Sequence, residues 1–337
     1  MIPQVLDVTL RDGGYVNGWD FSTSDAIRIV STLTKAGVPR IEVGYYRPRL
    51  TARASGLPGP MCCCSDYLKA LSKVRSKSSL TVMAHLSDIG EDDYKFLTDH
   101  GISFVRFVIP TQTIPPIEAH INAAHKAGLG CSINLIRLSE RSLELIISSA
   151  RRAEAMGADW LYTADSNGSM FPEQVALIFQ ELVREVRIPI GFHAHDSLRL
   201  AFANSLAALK MGGHMLDSSL GGMGKGAGNL VTELITSYFK RNYNAQFDVA
   251  QLTAITCETL SAWISSDHHA RCENALSALL DLNADDLKNV IHTAETTRRP
   301  LLLELEQQLN ELVRHGEKKR KEAYQLKAPA LPPNAAL

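Results

Sequence analysis

Val5-Leu6-Asp7-Val8-Thr9-Leu10-Arg11-Asp12-Gly13-Gly14-Tyr15 is the stretch on which the fold turns. Residues 5–9 form a short apolar, β-branched run that reads as a strand, and the charged pair with two glycines reads as the turn leaving it. An open, doubly wound sheet would place a Gly-x-Gly-x-x-Gly dinucleotide turn at this point. Arg11-Asp12-Gly13-Gly14-Tyr15 is not one. Residues 23–36 have helical spacing, with Ser22 or Thr23 as N-cap and Gly37 just past the end. A strand at 40–43, a Pro/Gly-rich loop at 47–60 and a helix at 67–74 follow. Further strands read at 80–85, 104–108, 130–135, 160–164, 190–195 and 215–217. Helices read between them at 114–127, 138–156, 173–186 and 198–211. Eight strands alternating with helices over about 240 residues predict an α/β fold, a (β/α)8 (TIM) barrel.

Strands stop near residue 241, and residues 249–265, 273–282 and 293–315 read as helices, the last starting near 297–300. The expected organisation is a barrel over 1–241, a helical domain over 242–315 and a basic, then Pro/Ala-rich tail over 316–337. Of the 337 residues 45% are apolar and 21% charged, so a sizeable core is available and disorder is excluded. Lys and Arg total 35 against 36 Asp and Glu, a net charge of −1 that gives no field for nucleic acid or acidic lipid. No apolar run approaches the ~18 residues of a membrane helix, and residues 1–7 lack the basic start of a signal peptide; a cytoplasmic protein is expected. Cys62, Cys63 and Cys64 are consecutive, without the spacers of a metal knuckle or redox pair, and read as buried or loop thiols.

In such a barrel the chemistry sits at the C-terminal strand ends. The first presents Arg11 and Asp12 ahead of a Gly-rich turn. The seventh presents His193 and His195, which alternation along a strand points the same way. Two imidazoles and a carboxylate from a neighbouring strand make a facial metal site with open positions, Asp12 being the natural third ligand. After strand eight, five glycines within 221–228 let backbone amides approach a ligand. Ser166, in the turn after strand six, could offer its hydroxyl to a carboxylate. Glu42 inside strand two could buttress Arg11 or the metal, and His85 and Arg106, at the ends of strands three and four, could face the pocket. His268 and His269 read as surface residues, and the three tryptophans as packing.

Thr9-Leu10-Arg11-Asp12-Gly13, Ile41-Glu42-Val43-Gly44, Asp165-Ser166-x-Gly168, His193-x-His195 and Gly224-x-Gly226-Ala227-Gly228-Asn229, in this order, resemble the DRE-TIM metallolyase superfamily. Residues 203–206 and 217–224 look most like its 4-hydroxy-2-oxovalerate aldolases. The resemblance implies a carbon–carbon lyase acting on a small 2-oxo acid and an aldehyde. It implies a divalent metal, usually Mn²⁺ or Mg²⁺ with Zn²⁺ or Co²⁺ as substitutes, on Asp12, His193 and His195, with Asn229 ligating or lining the site. Arg11 would stabilise an enolate oxygen and Ser166 would belong to the loop that holds the carboxylate. The resembling aldolases carry their base, a histidine, where this chain has Tyr15. Tyrosine has an unperturbed pKa near ~10 and serves better as a proton donor. Three rival readings are an acyl-CoA condensing enzyme or lyase of the same superfamily, a non-haem Fe(II) oxygenase, and a metabolite-binding protein that keeps the metal but no catalysis. A homo-oligomer is expected, and the helical domain could dock a partner enzyme.

Overall fold

In the computed structural model, which describes residues 3–51, 56–264 and 268–314, eight parallel strands close into one barrel in sequence order. They are β1 (Gln4–Asp7), β2 (Arg40–Tyr45), β3 (Ser79–His85), β4 (Ile102–Ile109), β5 (Gly130–Leu135), β6 (Trp160–Asp165), β7 (Ile190–Ala194) and β8 (Met215–Ser218). β8 returns to β1 in a register from Gln4 opposite Met215 to Asp7 opposite Ser218. The outer helices are α1 (Thr23–Lys35), α2 (Pro48–Thr51), α3 (Gly59–Cys62), α4 (Ser65–Ser72), α5 (Asp93–Asp99), α6 (Glu118–Lys126), α7 (Leu143–Ala155), α8 (Pro172–Glu185), α9 (Ala201–Lys210) and α10 (Thr232–Tyr243). Their apolar faces and the outward residues of the strands, such as Ile29, Ile41, Phe107 and Phe179, form one core.

β1 ends at Asp7, two residues before the expected Thr9, because the backbone turns there. The Asp7 carboxylate accepts from the Thr9 amide at 3.0 Å, and the Val8 carbonyl gathers the amides of Arg11, Asp12 and Gly13 at 3.1, 2.8 and 3.3 Å. That tight turn carries Arg11 and Asp12 into the barrel mouth. The helix expected over 138–156 begins only at Leu143, capped by the Ser142 hydroxyl. Ahead of it Arg137 is left-handed, and the Arg141 guanidinium donates to the carbonyls of Ile136, Gln112 and Thr111 at 3.0, 2.7 and 2.8 Å, pinning the loop after β4. The loop at 47–60 contains two short helices, α2 and α3, and Cys62 and Cys63 are buried.

Beyond the barrel, α11 (Val249–Ile255) runs into a π-helical turn at Thr256–Leu260, followed by α12 (His268–Leu279), α13 (Ala284–Thr297) and α14 (Leu301–Arg314). The expected helix over 293–315 is therefore split: Arg298 adopts a left-handed conformation and Pro300 precedes α14. Most of α13 was not read from the sequence. It starts where the Asn283 side chain accepts from the amides of Asp285 and Asp286. These helices cover the barrel mouth, because Asp281, between α12 and α13, accepts from Ser139, Ser169 and Asn167 at 2.8, 2.5 and 3.0 Å. The tail at 316–337 lies outside the described residues, as do the side chains of His268 and His269.

Asp7 is fully buried, and burial pushes its carboxyl up to about 7 even though Thr9 and Thr232 donate to it. With the folded value above the unfolded one, the native state keeps a proton that the unfolded chain loses between about pH 4 and 7. Stability therefore falls as pH rises through that window and is level above it. Asp7→Asn should gain on the wild type across the same window, by up to about 4 kcal/mol at pH 8. Urea unfolding of both proteins at pH 4.5 and 8 checks this, and a difference independent of pH would contradict it.

Candidate metal centre and active site

The barrel interior is only partly apolar. Leu6, Val8, Tyr162 and Met215 form a small plug, and above it strand alternation turns Glu42, Arg106 and Asp217 inward, all within 1% of full burial. They are linked without a break. Arg11 donates from Nη1 to Asp12 at 2.6 Å and from Nε to Glu42 at 2.5 Å; Arg106 bridges Glu42 at 3.1 Å and Asp217 at 2.6 Å. Asp217 in turn faces His193 Nδ1 at 3.1 Å. With its amide oxygen toward Arg106, Asn134 accepts from the same guanidinium at 2.9 and 3.1 Å. The chain of charges thus begins at Asp12 and ends at His193.

Both ends meet at one point. His193 and His195 face each other with their Nε2 atoms 3.3 Å apart, and their ligand atoms and those of Asp12 lie within 4.8 Å of one another. Each imidazole is held by its other nitrogen, His193 by the Asp217 carboxylate and His195 by the Gly228 carbonyl at 3.1 Å. A carbonyl can only accept, so Nδ1 of His195 carries the proton and Nε2 presents its lone pair. Burial lowers the His195 pKa to about 4, outweighing the opposing pull of Asp12, so the ring is neutral at physiological pH. Burial would raise the Asp12 carboxyl, but Arg11 first, then the two imidazoles and the Asn229 amide, hold it well below the usual range. The His195 lone pair, the second imidazole and the Asp12 carboxylate converge in one buried space, an arrangement that a cation between them completes. Asn229 donates to Asp12 at 2.8 Å while its own Oδ1 is buried with no hydrogen-bond partner among the described residues. This donor set fits a divalent ion.

A cavity of about 460 Å³ opens above the cluster and is lined by Arg11, Asp12, Tyr15, Tyr45, His85 and Ser166 among others, with α12 and α13 contributing Asn274, Ser277 and Leu287. Ser166 Oγ accepts from the Arg137 amide at 2.9 Å, which leaves its own proton to donate elsewhere. Tyr15 is 42% exposed at the rim, its hydroxyl 3.2 Å from that of Tyr45. His85 ends β3 and stacks on Tyr45. Arg106, expected at a strand end, lies in the middle of β4. Tyr45 and Asp217 escaped the sequence reading as site residues. A register shift in β2 between Glu42 and Tyr45 accompanies the inward turn of Tyr45. Its signal is Gly44, where a Cβ would sit 2.1 Å from the Pro60 carbonyl oxygen.

This is an enzyme of the (β/α)8-barrel class. The chain belongs to the HMGL-like family, which it matches over residues 2–257, in line with the DRE-TIM resemblance. It is 34% identical over 232 residues, 68% of each chain, to a 4-hydroxy-2-oxovalerate aldolase of Moorella thermoacetica. It is 29% identical over 254 residues, 74% of each chain, to an oxaloacetate decarboxylase of Mycobacterium tuberculosis. Among solved structures, the HMG-CoA lyase of Brucella melitensis shares the fold with a TM-score of 0.64 at 17% identity, covering 78% of this chain and 99% of that one.

Breaking the chain of charges takes a guanidinium away from two buried carboxylates. Arg106→Met leaves Glu42 with Arg11 alone and Asp217 with His193 alone and should cost about 3–5 kcal/mol, the usual penalty for removing one partner of a buried ion pair. Equilibrium urea unfolding measures it. A loss below about 1 kcal/mol would show that the two carboxylates find other partners.

Proposed function

We propose that this protein is a divalent-metal-dependent aldolase that makes or breaks a carbon–carbon bond next to the enolate of a pyruvate-like 2-oxo acid, an aldehyde being the other fragment. The observation that carries this reading is the convergence of His193, His195 and Asp12, with both imidazole tautomers fixed, beside Arg11 at the floor of one cavity. Asp12, His193 and His195 would hold the ion, with Asn229 beside them through its Nδ2 bond to Asp12. When bound, the ion supplies Lewis acidity toward the 2-oxo group, Mn²⁺ or Mg²⁺ being the metals the family resemblance favours.

Charge balance supports the substrate class. Asp12, Glu42 and Asp217 against Arg11 and Arg106 leave the buried network at −1. A divalent ion makes it +1, which one monocarboxylate neutralises. Arg11, fixed on two sides by Glu42 and Asp12, is preorganised toward the oxygen on which enolate charge develops. Ser166, already an acceptor from Arg137, donates its hydroxyl to the substrate carboxylate. In the condensing direction the enolate carbon attacks the aldehyde carbon, the carbonyl π electrons move to oxygen, and that oxygen takes the Tyr15 proton. Tyr15, at the exposed rim, is recharged from solvent, and burial keeps the neighbouring Tyr45 hydroxyl protonated. Cleavage reverses each step. Loss of CO₂ from a 2-oxo diacid would give the same enolate, so oxaloacetate belongs in the substrate panel beside 4-hydroxy-2-oxo acids.

Stripping the protein with a chelator should abolish pyruvate formation from a 4-hydroxy-2-oxo acid, and Mn²⁺ should restore it; equal rates before and after would refute a metal enzyme. Arg11→Lys keeps charge but not the fork to two carboxylates, and kcat should fall on the order of 10²-fold. Tyr15→Phe should leave metal content and 2-oxo acid binding intact while kcat falls. If Tyr15 only packs, kcat in that variant stays near the wild-type value, because the ring is kept and one hydrogen bond of about 1 kcal/mol is at stake.

A further inference from the structure

The face of the barrel opposite the cavity carries a second convergence of ligand-type atoms. His125 lies near the end of α6, Cys131 is the second residue of β5, and Asp159 immediately precedes β6, so all three sit where the chain enters β5 and β6. Their ligand atoms lie within 4.8 Å of one another. His125 Nε2 is 2.9 Å from Asp159 Oδ2 and 3.7 Å from Cys131 Sγ. Asp159 Oδ2 is further oriented by the Cys131 amide at 2.7 Å.

We propose that His125, Cys131 and Asp159 form a second metal site, selective for zinc-class ions and independent of the aldolase centre. A nucleophilic relay would use both ring nitrogens, one toward the thiol and one toward the carboxylate. Here sulfur and oxygen both approach the same Nε2, which is the convergence of ligands around a point. Burial also pushes the Cys131 thiol up to about 12, which makes it inert as a nucleophile, whereas a zinc-class ion displaces the proton outright. One thiolate, one imidazole and one carboxylate match the N, S and O ligands of Zn²⁺. Mn²⁺ and Mg²⁺ favour oxygen ligands and discriminate against a thiolate. Binding releases the thiol proton to solvent. The imidazole proton moves from Nε2 to Nδ1, and the fourth position is left to water. The His125 and Asp159 side chains are 39% and 42% exposed, so the ion can enter from solvent. Occupied, the site ties α6 to the starts of β5 and β6.

Cobalt titration tests this, because a thiolate ligand gives Co²⁺ an intense charge-transfer absorption that imidazole and carboxylate ligands do not. With the aldolase centre first filled by one Mn²⁺, the full chain should develop that absorption to saturation at one further Co²⁺ per chain, and the metal-free chain should bind two Zn²⁺ but one Mn²⁺ by elemental analysis. Cys131→Ala and His125→Gln should each lose the absorption and one Zn²⁺ while retaining the single Mn²⁺. His125 is partly exposed, so His125→Gln keeps the test valid if Cys131→Ala folds poorly. No thiolate absorption in the wild type, or absorption that persists in both variants, would overturn the proposal.

Discussion

The site depends on an unbroken run of buried ion pairs, Asp12 to Arg11 to Glu42 to Arg106 to Asp217 to His193. Its members come from the turn after β1 and from β2, β4, β7 and β8, so it ties together elements across the barrel interior. Each charge would be costly alone. Together they fix the floor of the cavity, and both ends of the run are residues of the metal cluster. Positions of the imidazole and the carboxylate proposed to share one ion are therefore set by the same contacts that hold the strands together. That coupling is the physical reason a barrel keeps ions where aliphatic layers usually sit.

The C-terminal helices complete the cavity. Asp281 collects three donors from the loops after β5 and β6, and the segment it anchors brings α12 and α13 over the mouth. A roof of this kind shields the cavity floor from water and, on the proposed function, presents Asn274, Ser277 and Leu287 to whatever lies beyond the 2-oxo acid.

Much of this was legible in the sequence. The eight strands and the inward pair His193 and His195 follow from period-two patterning, and Arg11 with Asp12 follows from a charged pair at a strand end. What escaped did so for physical reasons. Tyr45 enters the cavity where the register of β2 shifts at Gly44, so counting alternate residues from Arg40 misplaces it. Arg106 sits mid-strand, where a lone arginine in an apolar run gives no sign that two carboxylates from distant strands await it. Most of α13 was missed because its start is set by the Asn283 cap and not by a hydrophobic stripe, and the helix read over 138–156 is interrupted at Arg141 and Ser142, whose backbones are extended after a 3₁₀ turn at Leu138–Glu140.

The central claim is that the metal cluster and Arg11 together stabilise a 2-oxo acid enolate while its methyl proton exchanges with solvent. Solvent deuterium exchange into the methyl group of pyruvate tests it without knowledge of the aldehyde. The account predicts exchange with Mn²⁺ present, none after chelation, and none in His195→Ala. Metal-replete wild-type protein that leaves the pyruvate methyl group fully protiated would contradict it.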